Sequence, residues 1–155
     1  MTAPTIEVLV TVNGTDHVLR IEPRETVADV VRDRLGLTGT KVSCDAQVCG
    51  ACTVLVDDAP VSACTHLAVD ADGRQIRTVE GLLEDGRPNR LQAAFLRNAA
   101  FQCGFCTAGL LMTATALLEE NAAPTRADVE DALEGNLCRC TGYTSIVDAI
   151  LEVAG

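Results

Sequence analysis

Cys44-Asp45-Ala46-Gln47-Val48-Cys49-Gly50-Ala51-Cys52-Thr53-Val54 holds three cysteines within nine residues, and a fourth, Cys64, follows downstream. Four thiolates bind soft metals and clusters. A loop that brings Cys44, Cys49 and Cys52 to one centre must wrap tightly. Ala46 and Ala51 are small enough to fit it, and Gly50 is expected at φ > 0, where the backbone can approach closely. Outward from this loop the chain reads as strands around one helix. Thr5 to Val12 and His17 to Ile21 flank Asn13-Gly14, a strong hairpin signal. Thr26, with Asp29 three residues on, resembles a capping box. Val27, Val30, Val31 and Leu35 then form an apolar stripe, and Gly36 stands where a C-terminal cap belongs. After the cysteines come a short strand (Thr53 to Val56), a turn (Asp57-Asp58-Ala59-Pro60), a segment from Val61 to Val69 carrying Cys64, and a last strand from Gln75 to Val79. Two hairpin-like pairs with one crossing helix fit a β-grasp arrangement. Periodicity alone is met equally by other small α+β folds.

The spacing C-x4-C-x2-C with a distant fourth cysteine matches the ligand pattern of plant-type 2Fe–2S centres. Zinc is the competitor. Its four-cysteine sites usually use two pairs, each with two to four residues between the cysteines, whereas here three ligands run together.

A second quartet, Cys103, Cys106, Cys138 and Cys140, lies in the other half. Strand signals vanish after about Val79, and Gly81 to Pro88 reads as a linker. Helical patterns follow: Leu91, Ala94, Phe95 and Asn98; then Leu110, Leu111, Ala114, Leu117 and Leu118; a third opening at Pro124-Thr125 with Asp128 and ending near Gly135; and a last from Ser145 to Val153. This is a small helical bundle. The chain therefore divides into 1–80 and 81–155. Cys103 and Cys106 fall at a helix start, where thiolates gain from free N–H groups and the helix dipole. Cys138 and Cys140 stand too close for a helical turn and belong on a loop. Taken alone, Cys103-x-x-Cys106 also fits a thioredoxin-like redox pair. The second cysteine pair and the missing βαβ pattern count against that.

The formal charge of −10 argues against nucleic acid and anionic membrane as partners. The opening MTAPTIEVLV has no basic n-region, and no stretch approaches a transmembrane length. A cytoplasmic location follows as the expectation, and in a reducing compartment cysteines point to metal rather than to disulfides. Halves of about 75 residues with few aromatics need a staple, and a centre tied to four side chains supplies one.

The strings CDAQVCGACTV, QCGFCTAG and GNLCRCTGY, in this order, resemble the small iron–sulfur subunit of molybdenum hydroxylases, the family of xanthine dehydrogenase, aldehyde oxidoreductase and aerobic carbon monoxide dehydrogenase. The resemblance spans nearly the whole chain. It implies an α+β architecture, a plant-ferredoxin-like β-grasp domain followed by a four-helix bundle, each with a 2Fe–2S centre. Cys44, Cys49, Cys52 and Cys64 would hold the centre nearer a flavin; Cys103, Cys106, Cys138 and Cys140 the one nearer a molybdopterin cofactor. Electrons would pass from molybdenum through the two centres to FAD. The molybdopterin and FAD would sit on large and medium partner subunits, so no substrate site is expected here. Gln102 and Cys140 match family positions that contact the pterin, and Arg139 would offset charge at the second centre. A Rieske site needs two histidines; His66 and His17 are expected to be structural or exposed. Two departures are Ala108, where many relatives have Pro, and Asn89-Arg90, which replaces a common His-Pro. The alternative reading is a free-standing two-cluster ferredoxin, and a third is a zinc-stabilised interaction module.

Overall fold

A computed structural model describes residues 4–155; Met1, Thr2 and Ala3, the start of the stretch read for a targeting signal, lie outside them. The first half is a mixed five-stranded sheet of order β2-β1-β5-β3-β4. β1 (Ile6–Val12) and β2 (Thr15–Ile21) pair antiparallel from Ile6 opposite Ile21 to Val12 opposite Thr15. Asn13 and Gly14 turn between them with φ of 49° and 80°, the backbone that a two-residue hairpin of this hand requires. β5 (Gln75–Arg77) lies parallel to β1 and antiparallel to β3 (Thr53–Val56), which pairs with β4 (Ala59–Ser62) at the edge. The turn expected over four residues is only Asp57-Asp58. Ala59 and Pro60 already belong to β4, where an edge position tolerates the missing N–H of proline.

The capping box forms as expected: the Asp29 N–H donates to Thr26 Oγ1 at 3.2 Å, and the Thr26 N–H donates to Asp29 Oδ2 at 2.8 Å. The helix does not continue uniformly. A single α-turn, α1 (Val27–Asp29), widens into a π-turn over Val30–Arg34. Thr26, Val27, Val30 and Val31 are all β-branched and crowd a regular helix, and the wider winding still buries the three valines.

β4 takes only the first two residues of the Val61 to Val69 segment, and the stretch after Ser62 leaves the sheet. Its carbonyls cap α1 instead. The Ala63 carbonyl accepts from the Ala28 N–H at 3.0 Å, and the His66 carbonyl from the Val27 N–H at 2.8 Å. The first amides of a helix have no internal partner, so this loop satisfies them, and Cys64 is held on a turn rather than a strand.

β3 joins the two halves. It is buried along its whole length. Val54 and Val56 pack with Val10, Val27 and Val31 on the α1 side, while Leu55 packs into the helical core with Phe95, Leu110 and Ile146. Strand alternation makes this division.

The second half has four helices: α2 (Arg90–Arg97), α3 (Thr107–Glu120), α4 (Arg126–Leu133) and α5 (Thr144–Val153). The unusual Asn89 opens α2 with a complete capping box, accepting from the Gln92 N–H at 2.9 Å while Gln92 Oε1 accepts from the Asn89 N–H at 3.0 Å. Thr125 and Asp128 do the same for α4. Among the described residues no helix is long and apolar enough to cross a membrane.

Candidate metal centres

The first cysteine loop turns through Asp45, Gln47 and Gly50, all with left-handed φ of 52°, 56° and 67°. That winding aims amides inward. The N–H groups of Val48 and Cys49 each donate to Cys44 Sγ at 3.4 Å. The Val48, Cys49 and Ala46 amides bring the Cys44 thiol down to about 6. The Cys44 thiol also adjoins that of Cys49, and the Cys52 thiol that of Cys64. The Cys52 and Cys64 side chains lie in the sheet core, 2 % and 5 % exposed. Burial, and then the neighbouring Cys64 thiol, push Cys52 up to about 11 against the pull of a backbone hydrogen bond from Cys64.

In the second quartet the Cys140 and Cys103 sulfurs stand 3.6 Å apart. The Cys106 and Cys138 thiols adjoin each other. Cys106 is the residue before α3, so it has the helix-start position that the sequence indicated. The expected lowering of its pKa does not follow: burial first, and the adjoining Cys138 second, push it up to about 12. The helix end is outweighed by loss of water. Cys138 moves the other way. Burial acts on it most strongly and upward, but hydrogen bonds from the Thr141 side chain and backbone, from the Cys140 backbone and from Cys106 together lower it. The Thr141 hydroxyl donates to Cys138 Sγ at 3.1 Å. Cys140 is raised by its hydrogen bond with Cys103.

All eight sequence-identified cysteines are thus brought into two groups, and within each group the sulfurs stand in pairs. Two thiolates on one tetrahedral metal, with bonds of about 2.3 Å, stand about 3.8 Å apart, close to the Cys103–Cys140 spacing. Among the described residues no three His, Cys, Asp or Glu side chains converge on one point. The all-sulfur donor set fits a two-iron centre, in which each iron would take two cysteines. Gln102 reaches the second group: its Nε2 donates to the Cys140 carbonyl at 3.0 Å. Arg139 lines the same cavity, of about 590 Å³, with Cys49 and the four second-group cysteines. His17 and His66 are half-buried and join neither group.

Some residues that shape the site were not singled out from sequence. Tyr143 has left-handed φ, 69°. Its hydroxyl accepts from the Cys138 N–H at 2.8 Å and donates to the Asn136 carbonyl at 2.9 Å, which closes the second loop. Asn136 and Thr113 are buried. Gly50 has the positive φ expected of it, 67°, and also approaches the other half of the chain: a Cβ there would lie 2.3 Å from the Gly135 carbonyl oxygen. The string GNLCRCTGY contains Asn136 and Tyr143, but a long-range hydrogen bond has no periodicity to read.

The thiol shifts predict an order of reactivity in the cluster-free, reduced chain. Iodoacetamide at pH 7 should modify Cys44 well ahead of Cys52 and Cys106, with the Cys44 rate half-maximal near pH 6. Because the folded pKa of Cys44 lies below its unfolded value, its contribution to stability is complete above the ordinary thiol value of 9.0 and is lost as pH falls through about 6. Peptide mapping by mass spectrometry checks this; equal labelling of the three would overturn it.

Comparison with known proteins gives a consistent result. Residues 10–81 match the family described as 2Fe-2S iron-sulfur cluster binding domain, and residues 78–151 the family described as [2Fe-2S] binding domain. The chain is 53 % identical to the nicotine 6-hydroxylase small subunit of Paenarthrobacter nicotinovorans, over 100 % of this chain and 96 % of that protein. The crystal structure of quinoline 2-oxidoreductase from Pseudomonas putida 86 superposes with a TM-score of 0.94 at 51 % identity, covering 97 % of this chain and 93 % of that one. Aldehyde oxidoreductase from Desulfovibrio gigas superposes with a TM-score of 0.92 at 42 % identity; the match covers 96 % of this chain but 17 % of that longer one.

Proposed function

The chain belongs to the family of small iron–sulfur subunits of molybdenum hydroxylases, and we propose that Cys44, Cys49, Cys52 and Cys64 hold one of its 2Fe–2S centres and Cys103, Cys106, Cys138 and Cys140 the other. Its role is electron transfer within an oxidoreductase complex, from a molybdopterin centre through the two clusters to FAD. Both of those cofactors are carried by partners. The observation that carries the ligand assignment is the gathering of thiols within each quartet, with the Cys103 and Cys140 sulfurs 3.6 Å apart and the Val48 and Cys49 amides wound onto Cys44 Sγ. Each centre, when bound, supplies one-electron storage. The chain's own groups do the rest: inward amides at Cys44 and the Thr141 hydroxyl at Cys138 donate to sulfur, which favours the more negative reduced state and raises the potential.

In this reading residues 1–80 form a β-grasp domain and 81–155 a four-helix bundle. The end of the strands at Arg77 and the four helices from Arg90 onward support that division. The partners are a large molybdopterin-binding and a medium FAD-binding subunit. Cys103 and Cys140 are the exposed pair, and with Gln102 against Cys140 they form the edge that faces the pterin. The exposed Val48 loop beside Cys44 faces the flavin. Eight cysteines free of disulfides fit a reducing compartment, and a cytoplasmic location is part of the reading. The nicotine, quinoline and aldehyde in the relatives' names stay with those proteins, since no residue here is assigned to substrate.

Metal analysis and EPR on the co-purified complex test this. The expected result is about four irons per chain and two distinguishable reduced signals, with a native mass several times that of the chain. Two irons, two zincs without colour, or a stable monomer would overturn it.

A further inference from the structure

Asn136 is a polar side chain, 4 % exposed, at the seam between the halves, and every one of its polar groups is used. Its Nδ2 donates to the Gly50 carbonyl at 2.9 Å and to Thr53 Oγ1 at 3.4 Å. Its Oδ1 accepts from the Thr113 hydroxyl at 2.8 Å. Its own N–H donates to the Leu133 carbonyl, and its carbonyl accepts from Tyr143. The side chain therefore ties the first cysteine loop and β3 to α3, while the backbone fixes the start of the second cysteine loop.

The next residue makes a contact of a different kind. The Leu137 N–H donates to the Cys49 carbonyl at 2.8 Å. Cys49 is a ligand in the first group, and Cys138, adjacent to Leu137, is a ligand in the second. A short run of main chain with one hydrogen bond thus connects a sulfur of each group. Glycine permits the approach: a Cβ on Gly50 would lie 2.5 Å from Asn136 Nδ2, and one on Gly109 would lie 2.0 Å from the Gly50 carbonyl oxygen.

We propose that Asn136 is a positioning residue for electron passage between the two centres, clamping Gly50 to the second loop and so holding the Leu137 N–H on the Cys49 carbonyl. This rests on the ligand assignment above. One electron would pass from the reduced centre that Cys103, Cys106, Cys138 and Cys140 would hold to the oxidised centre that Cys44, Cys49, Cys52 and Cys64 would hold. No bond breaks and no proton moves. Speed along such a route depends on the contact between Leu137 and Cys49. With the amide gone, the Gly50 and Thr53 oxygens lose a donor, the Thr113 hydroxyl loses its acceptor, and the loops are free to separate.

The test uses the assembled complex with Asn136→Ala and, as a milder change, Thr113→Val, which removes only the hydroxyl that orients the amide. Neither residue is an iron ligand, so both variants should keep the full iron content and both reduced signals. Hydrogen–deuterium exchange of the peptide carrying Leu137 should accelerate roughly tenfold, the size that loss of one buried hydrogen bond gives to a local opening. Electron transfer between the centres, followed by rapid-freeze EPR, should slow by about tenfold, in line with the cost of small misplacements, and the magnetic interaction between the two reduced centres should change. If Asn136→Ala does not assemble, Thr113→Val decides. Unchanged exchange and unchanged rate would overturn the proposal. So would a slowed rate with the Leu137 amide still protected, since the effect would then run through potentials. A wild-type complex without two distinct reduced signals would instead overturn the ligand assignment, and this proposal with it.

Discussion

A Cys52→Ser variant should lose one of the two reduced EPR signals, keep the other, and fall from about four irons per chain to about two. Cys52 is 2 % exposed and packs in the core of Val10, Val27, Val31 and Val54. Serine there offers a poor ligand and leaves a hydroxyl in an apolar site. Binding of a structural metal by four thiolates contributes on the order of 10 kcal/mol to folding, comparable to the whole stability of a domain, about 5–15 kcal/mol. The sheet half should therefore loosen, with protease sensitivity rising between β1 and β5, while the helices hold. Cys138→Ser should give the mirror result: the other signal is lost and the sheet centre remains. Loss of both signals from either single change, or of neither, would contradict two centres with separate ligands.

Gly109→Ala should lower the melting temperature of the complex-bound chain by about 5 °C or more, although alanine is the better helix former. Two effects oppose each other. Replacing glycine inside α3 gains up to about 1 kcal/mol of helix propensity. Against that, the new Cβ would lie 2.0 Å from the Gly50 carbonyl oxygen and 3.2 Å from the Ala51 carbonyl carbon, both main-chain atoms with little room to move. Overpacking of this kind costs about 1–3 kcal/mol or more, and a rigid partner places it at the upper end. The net loss of about 2 kcal/mol gives the stated shift at roughly 2–4 °C per kcal/mol for a chain of this size. Gly135→Ala is the control. Nothing lies within 4 Å of its Cβ position, so its effect should stay within about 0.5 kcal/mol. Equal melting temperatures for the two variants would show that the seam yields easily.

Much of the fold was legible because its signals are local. Asn13-Gly14 marks a hairpin through the backbone each residue tolerates, and Thr26 with Asp29 marks a helix start through two short hydrogen bonds. α2 and α3 fall where their 3.6-residue stripes put them, and α4 opens where Thr125 and Asp128 mark a cap. The misreadings share a cause. Val61 to Val69 continues the second hairpin-like pair, but past Ser62 the free amides of α1 draw its carbonyls away. The expected low pKa of Cys106 follows from its helix position, but burial by distant residues reverses it.

The eight cysteines, their division into quartets and the family they belong to are determined by the sequence alone, because ligand type and spacing are properties of neighbours in the chain. How the quartets relate is decided only in three dimensions. Gly50 meets Gly135 and Asn136, Gly109 meets Gly50, and Leu137 meets Cys49 across more than fifty residues of intervening chain. Such contacts depend on the packing of β3 against α3, where one buried strand serves two cores. No local pattern encodes them, and they are what hold the first cysteine loop against the second.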